Sequence, residues 1–136
     1  MQSIHNKNIV KLVTESIRDA RVEIVATMLL REEVLRPLPY SYHSLIKNKV
    51  KKKVLLKRLG FGKIEDYNIV KKREDSLSKN YIFKFTTREQ EYQRLIIIDR
   101  KKIFFGKDGM FFKSEYEPLI KVFLKYFLDN FRKGKI

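Results

Sequence analysis

The chain has 136 residues, 43% of them hydrophobic and 35% charged, a length for one core of ordinary size, so one domain over 1–136 is expected. Its 31 Lys and Arg against 16 Asp and Glu give a net charge of +15, and no apolar run approaches a membrane span or a signal peptide, so a cytoplasmic protein that attracts polyanions is expected. The absence of cysteine excludes disulfides, thiolate zinc sites and cysteine nucleophiles, and with two distant histidines no metal or cofactor is expected.

From Asn8 to Ala20, Val10, Val13, Ile17 and Ala20 recur at helical spacing between Lys11, Glu15 and Arg18, which predicts an amphipathic helix packed on a sheet. Arg21 to Leu30 begins in alternation and becomes continuously apolar, as a mostly buried first strand does. Pro37 and Pro39 mark a loop, followed by a short helix from Ser41 to Lys49 and a second strand at Lys53 to Lys57. Gly60-Phe61-Gly62 reads as a break. The polar stretch Lys63 to Asn80 holds at most a short strand at Tyr67 to Lys71, and Lys72 to Lys79 is assigned no structure.

Three β-rich runs follow, Tyr81 to Thr86, Arg94 to Asp99 and Ile103 to Phe105, with Met110 to Phe112 extending the last. Leu95-Ile96-Ile97-Ile98 has no alternation, so it should be a central strand covered on both faces. From Glu117 to about Arg132 the pattern is helical, with Pro118 in the first turn and Leu119, Val122, Phe123, Phe127 and Phe131 along one side. The basic tail 132–136 is expected to be mobile. Helices and strands interleave, which gives an α/β fold.

The most informative stretch runs from Glu91 to Gly106, and it resembles the signature region of the phospholipase D-like superfamily. In that family a His, one spacer and a Lys open a strand, an Asp follows five residues after the Lys, and a Gly comes seven after the Asp. Tyr92 falls at the His position, Arg94 at the Lys, Asp99 at the Asp and Gly106 at the Gly, all with the family's spacing. Lys107 stands where a small residue is usual, and Gly109 stands near the position of an Asn. The resemblance implies a mixed central sheet flanked by helices, one phospholipase D-like half-domain. Because active members build one site from two halves, it also implies a homodimer whose faces meet near Tyr92 and Arg94.

In the family the His attacks a phosphodiester, a second His protonates the leaving group, and the Lys residues hold phosphate oxygens. A Tyr hydroxyl with a pKa near 10 is no ready nucleophile without activation, so the usual activity is expected to be absent and the module catalytically silent. Arg94 keeps the positive charge and is expected to grip an anion still. The bland alternatives are that Tyr92 packs at a strand end, that Arg94 pairs with Asp99 or another carboxylate, and that Asp99 closes a turn. A rebuilt phosphodiesterase site using Tyr92 is the remote reading. His5 and His43 sit in no recognisable motif.

Basic residues cluster at Lys47 to Arg58, at Lys71-Lys72-Arg73 and at Arg100-Lys101-Lys102. Such runs are usually solvated faces, but where they converge they track phosphates, so Arg94, Lys107, Lys51, Lys52, Lys53, Lys57, Arg58, Arg100, Lys101 and Lys102 are the candidate anion-binding set. Nearby Tyr40, Tyr42, Phe61 and Tyr67 are candidates to stack on bases. Three partners fit: nucleic acid held through the basic surface first, then a ligand sensed in a transcription regulator, then an anionic membrane rich in phosphoinositides.

Overall fold

The run Leu95–Ile98, apolar at every position, forms β5, the fourth of seven strands in one sheet, and it is buried throughout. A computed structural model describes residues 1–74 and 79–136. The other strands are β1 (Gln2–Ile4), β2 (Glu23–Leu29), β3 (Leu55–Phe61), β4 (Tyr81–Thr86), β6 (Lys102–Lys107) and β7 (Met110–Ser114), in the spatial order β1-β7-β6-β5-β2-β3-β4. β2, β3 and β4 run parallel, and every other pairing is antiparallel. The helices are α1 (Ile9–Arg18), α2 (Leu30–Leu35), α3 (Tyr40–Lys51), α4 (Ile64–Arg73) and α5 (Glu117–Lys133).

The sheet is sandwiched because each face carries its own apolar set. On one face Val13 and Ile17 of α1 and Ile46 and Val50 of α3 pack on Ile24, Leu56, Ile96, Ile98 and Phe104. On the other, Ile120, Leu124, Phe127 and Phe131 of α5 pack on Val25, Leu59, Ile97, Ile103 and Phe105. Each such side chain contributes roughly 1.5–3 kcal/mol by leaving water. A smaller cluster joins Leu30 of α2 and Tyr67 and Val70 of α4 to Phe83 and Phe85 of β4. The mixed sheet flanked by helices is therefore the one expected of a phospholipase D-like half-domain.

Several local expectations change. The second strand starts two residues later than Lys53 and runs through Gly60, because a side chain at Gly60 would lie 2.5 Å from Leu30 Cδ2 and only glycine lets α2 pack there. The break falls at Gly62 alone, whose φ is +148°. Tyr67 to Lys71 is not a strand but the middle of α4, whose first turn carries Glu65 and Asp66 and whose last carries Lys71, Lys72 and Arg73, charges matched to a helix dipole. Of the stretch left without structure, Lys72 and Arg73 close this helix, and 75–78 lie outside the described residues.

Helix α2 and strand β1 are additions, and β7 is a strand of its own rather than an extension of β6. Val10 and Val122 face solvent, their places on the apolar stripes taken by Ile9 and Ile120. The tail expected to be mobile is placed against the sheet: Arg132 and Lys133 end α5, and Lys135 exchanges two backbone hydrogen bonds with Phe85, at 2.8 and 2.9 Å.

This topology gives the sheet two distinct ends. β2, β3, β4 and β6 finish at one end, where β5 and β7 begin. We call it the motif end, because Tyr92 and Arg94 lead into β5 there. At the other end β2 and β3 start, and the β5–β6 turn closes beside them.

Candidate functional site

At the motif end the chain approaching β5 is tightly held. The Tyr126 hydroxyl of α5 accepts from the Gln93 N–H at 2.9 Å and donates to the Glu91 carbonyl at 2.5 Å. The Gln93 side-chain amide donates to the carbonyls of Gly106 and Arg94, at 2.6 and 3.0 Å, and Thr27 Oγ1 donates to the Gln93 carbonyl at 2.6 Å. Four of these hydrogen bonds hold Gln93, the spacer between Tyr92 and Arg94, and the fifth holds Glu91 just ahead of Tyr92.

Tyr92 is half-buried, its ring edge-on to Phe61 with centroids 5.4 Å apart. Burial pushes its phenol up to about 12, against the opposing pull of the Arg94 guanidinium. Arg94 is exposed and lies over the ring of Phe111, 4.8 Å from its centroid, where a cation–π contact orients it. Among the described residues no carboxylate pairs with it. Gly106 lies beside its stem, the Gly106 N–H donating to the Arg94 carbonyl at 3.1 Å. A recess of about 440 Å³ opens between Tyr92, Arg94, Lys107, Asp108 and Met110. Arg94 and Lys107 give it a cationic wall. Its one phenol is not an ionisable nucleophile near neutrality.

Asp99 is not part of that recess. It lies at the opposite end of β5, in a tight turn where it and Arg100 have φ of 54° and 57° and the Lys101 N–H donates to the Ile98 carbonyl at 3.0 Å. Positive φ at both central residues is the signature of a type I′ hairpin, in which Asp tolerates the left-handed region. Its carboxylate accepts from the backbone N–H groups of Arg21, Val22 and Glu23 at 3.0, 2.8 and 2.9 Å. Partial burial pushes this carboxyl up, but the three N–H donors outweigh it and hold its pKa below the usual range. The pairing of Asp99 with Arg94 considered from sequence is therefore replaced by a staple between the β5–β6 turn and the start of β2.

That staple gathers basic residues. Arg21 precedes β2, Lys51, Lys52 and Lys53 precede β3, and Arg100, Lys101 and Lys102 form the adjoining turn. The Leu55 N–H donates to the Val22 carbonyl at 3.0 Å and the Asp99 N–H to the Glu23 carbonyl at 2.8 Å, which sets the three segments side by side. Arg18 ends α1, and Lys79 precedes β4, at the same end. Arg18, Arg21 and Lys79, not in the expected set, join it because they flank element boundaries that charge runs do not mark. All of these cations are exposed except Lys102, which is half-buried. Arg100 pairs with Glu23 at 3.0 Å; among the described residues no ion pair engages Arg18, Arg21, Lys51, Lys52, Lys53, Lys79, Lys101 or Lys102.

Two of the expected cations are spent internally. Arg58 is only 3% exposed and sits beneath α3, bonded to Glu74 and, at 3.2 Å, to Tyr81, so it cannot meet an outside anion. Lys57 is half-buried, 4.0 Å from Glu23 and over the ring of Phe131. Of the aromatics considered for base stacking, Tyr42, Phe61 and Tyr67 are core residues, and Tyr40 is 86% exposed. His5 Nδ1 accepts from the Lys7 N–H at 3.2 Å, and His43 Nε2 lies 3.5 Å from Glu33 Oε1, on different elements.

No family model matches the chain, and no curated protein matches it. Among the solved structures that share its fold is TrmBL2, an archaeal chromatin protein whose structure shows a novel mode of DNA binding: 14% identity, a TM-score of 0.69, and 98% of this chain covered against 52% of TrmBL2. Another is NucT from Helicobacter pylori, at 12% identity and a TM-score of 0.66, covering 95% of this chain and 91% of NucT. The chain spans about half the length of TrmBL2. At such identities the likeness is one of fold.

Proposed function

We propose that this chain is a catalytically silent phospholipase D-like half-domain that binds nucleic acid through its basic surface without strong sequence preference. The observation that carries the reading is the state of Tyr92. The position that the resembled motif gives to a neutral imidazole holds a phenol packed on Phe61 and pushed up to about 12, the nearby Glu32 carboxylate adding to the rise, and among the described residues no base is hydrogen-bonded to it. A net charge of +15, much of it on exposed side chains outside any ion pair, leaves phosphate binding as what this surface does best. The fold likeness to a DNA-binding chromatin protein supports that partner.

The motif ends of two copies are expected to face each other in a homodimer. Val10 and Met110, 46% and 53% exposed, supply apolar area beside Arg94 for such a contact. A micromolar sample that sediments as a monomer speaks against the dimer. The functional reading is tested by fluorescence anisotropy of labelled single- and double-stranded DNA at 50 and 200 mM salt, run beside a phosphodiesterase assay on the same oligonucleotides. Binding that weakens steeply with salt, with no cleavage, is expected. No binding at either salt, or cleavage lost in Tyr92→Phe, contradicts it.

A further inference from the structure

The nucleic-acid reading leaves open which surface meets the phosphates, since the candidate cations divide between two ends of the sheet. Resting on that reading, we infer that the polyanion is held at the end away from the motif, by a rim formed from Arg21, Lys51, Lys52, Lys53, Lys79 and Lys101, and that Arg94 and Lys107 take no part.

Adjacency comes first. The β5–β6 turn, the start of β2, the start of β3 and the approach to β4 follow one another across the sheet, tied by the Asp99 carboxylate and by the backbone bonds Leu55 to Val22 and Leu56 to Asn80. Strands lie about 4.8 Å apart, so a rim spanning β6, β5, β2, β3 and β4 extends over about 19 Å. A duplex presents a negative charge every ~1.7 Å of axis, so a rim of that length faces several phosphates at once.

The charge balance also favours this end. The ordinary explanation for lysines here is compensation of helix dipoles, because α1 and α3 both end at this edge. Each C-terminus carries roughly half a negative charge, about one in all. Lys49 already answers it, its ammonium donating to the Arg18 carbonyl and, at 3.0 Å, to the Ala20 carbonyl. Glu23 is paired with Arg100 and Glu117 with Lys121, which leaves three nearby carboxylates outside any described ion pair, the backbone-bonded Asp99 and the exposed Asp19 and Glu115. Three carboxylates and about one unit of dipole do not neutralise the eight cations of Arg18, Lys102 and the rim that stand outside any described ion pair. The motif end differs: Lys63, Arg94 and Lys107 share it with the acidic side chains of Glu32, Glu89 and Asp108, while Arg31 and Arg88 are paired with Asp66 and Glu91.

The rim is also rigid at its base, since a type I′ turn and a triply bonded carboxylate fix the spacing between the Lys101 and Arg21 segments. Tyr116, exposed at this end, is set between Glu115 and Glu117 rather than among the cations, so contact is with the phosphate backbone, which fits a duplex.

The test uses the full chain and a labelled 20-base-pair duplex, with anisotropy read at several salt concentrations. Lys51→Glu, Lys52→Glu and Lys101→Glu together, all on exposed side chains, are expected to weaken binding at least 100-fold. The neutral triple variant to Ala is expected to flatten the log–log salt slope by about 0.9 for each lost phosphate contact. Arg94→Glu with Lys107→Glu is expected to stay within twofold of the parent. Lys53 is left in place because its φ of 69° constrains replacements. Circular dichroism melts of every variant check the fold. If the motif-end pair abolishes binding and the rim triple does not, the inference fails while the nucleic-acid reading stands. If the parent binds no duplex or single strand but sediments with acidic liposomes, both fail.

Discussion

Around the recess at the motif end Arg94 and Lys107 sit near acidic side chains and a phenol that burial pushes up; at the far end eight cations stand outside any described ion pair, around a carboxylate occupied by backbone donors. Both ends are built on the same strands, so the contrast lies in what each end needs. The phosphodiester chemistry of the resembled family uses an imidazole, its partner and a phosphate clamp held in register. Holding a polyanion needs only density of charge on a stable rim, which the hairpin turn and the Asp99 staple provide. On the proposed reading, the resemblance in the signature marks scaffold, its spacing organising β5 and the turn after it.

The contrast between a cation used for folding and a cation offered to solvent is sharpest at Arg58 and Lys52, close in sequence and opposite in environment. Glu74→Gln, which leaves the Arg58 guanidinium buried without its counter-charge, is expected to cost about 3–5 kcal/mol in urea denaturation. Lys52→Gln is expected to change stability by no more than about 0.5 kcal/mol.

Next in size is the staple. Asp99→Ala removes an acceptor from three N–H groups at a positive φ and is expected to cost about 2–3 kcal/mol; Asp99→Asn, which keeps one acceptor and tolerates that φ, costs about half as much. Because the folded-state pKa of Asp99 is depressed, its contribution is present above the unfolded value near 4 and is lost as pH falls through the lower folded value. Denaturation midpoints of the parent and of Asp99→Asn should therefore converge on acidification. A gap that stays constant down to acid pH would mean that the carboxylate is not the staple.

The smallest expected effect is at Tyr92. Tyr92→Phe should leave DNA affinity within twofold and stability within about 1 kcal/mol, because the hydroxyl makes no hydrogen bond among the described residues and the ring contact with Phe61 is kept. A drop of tenfold or more in affinity would return the motif end to the binding surface.

Much of the scaffold was legible in the chain itself. Leu95–Ile98 reads as a doubly covered strand because nothing in it tolerates water, Tyr81–Thr86 is rich in strand formers, and Glu117–Lys133 carries a helical spacing. The misreadings have local causes. Tyr67 to Val70 is rich in strand formers, yet Glu65 and Asp66 ahead of it and Lys71 to Arg73 behind it are helix-end charges. Gly60 reads as a break, but it is a contact that Leu30 requires, invisible without the neighbouring helix. Asp108-Gly109, both at positive φ, was a hairpin signal between β6 and β7 passed over in favour of one longer strand.

The candidate anion set was half legible. Runs of Lys show where charge is dense, but not that Arg58 is interior or that Arg94 and Lys101 lie at opposite ends of β5. Which cations face the same way follows from strand order and direction, and these are tertiary facts.

The most direct measurement is a backbone amide NMR titration of the full chain with an unlabelled 20-base-pair duplex at 50 mM salt. The largest shifts are expected at 18–22, 50–55, 79–81 and 99–102. Shifts confined to 92–94 and 106–111, with the far end unmoved, would contradict that expectation.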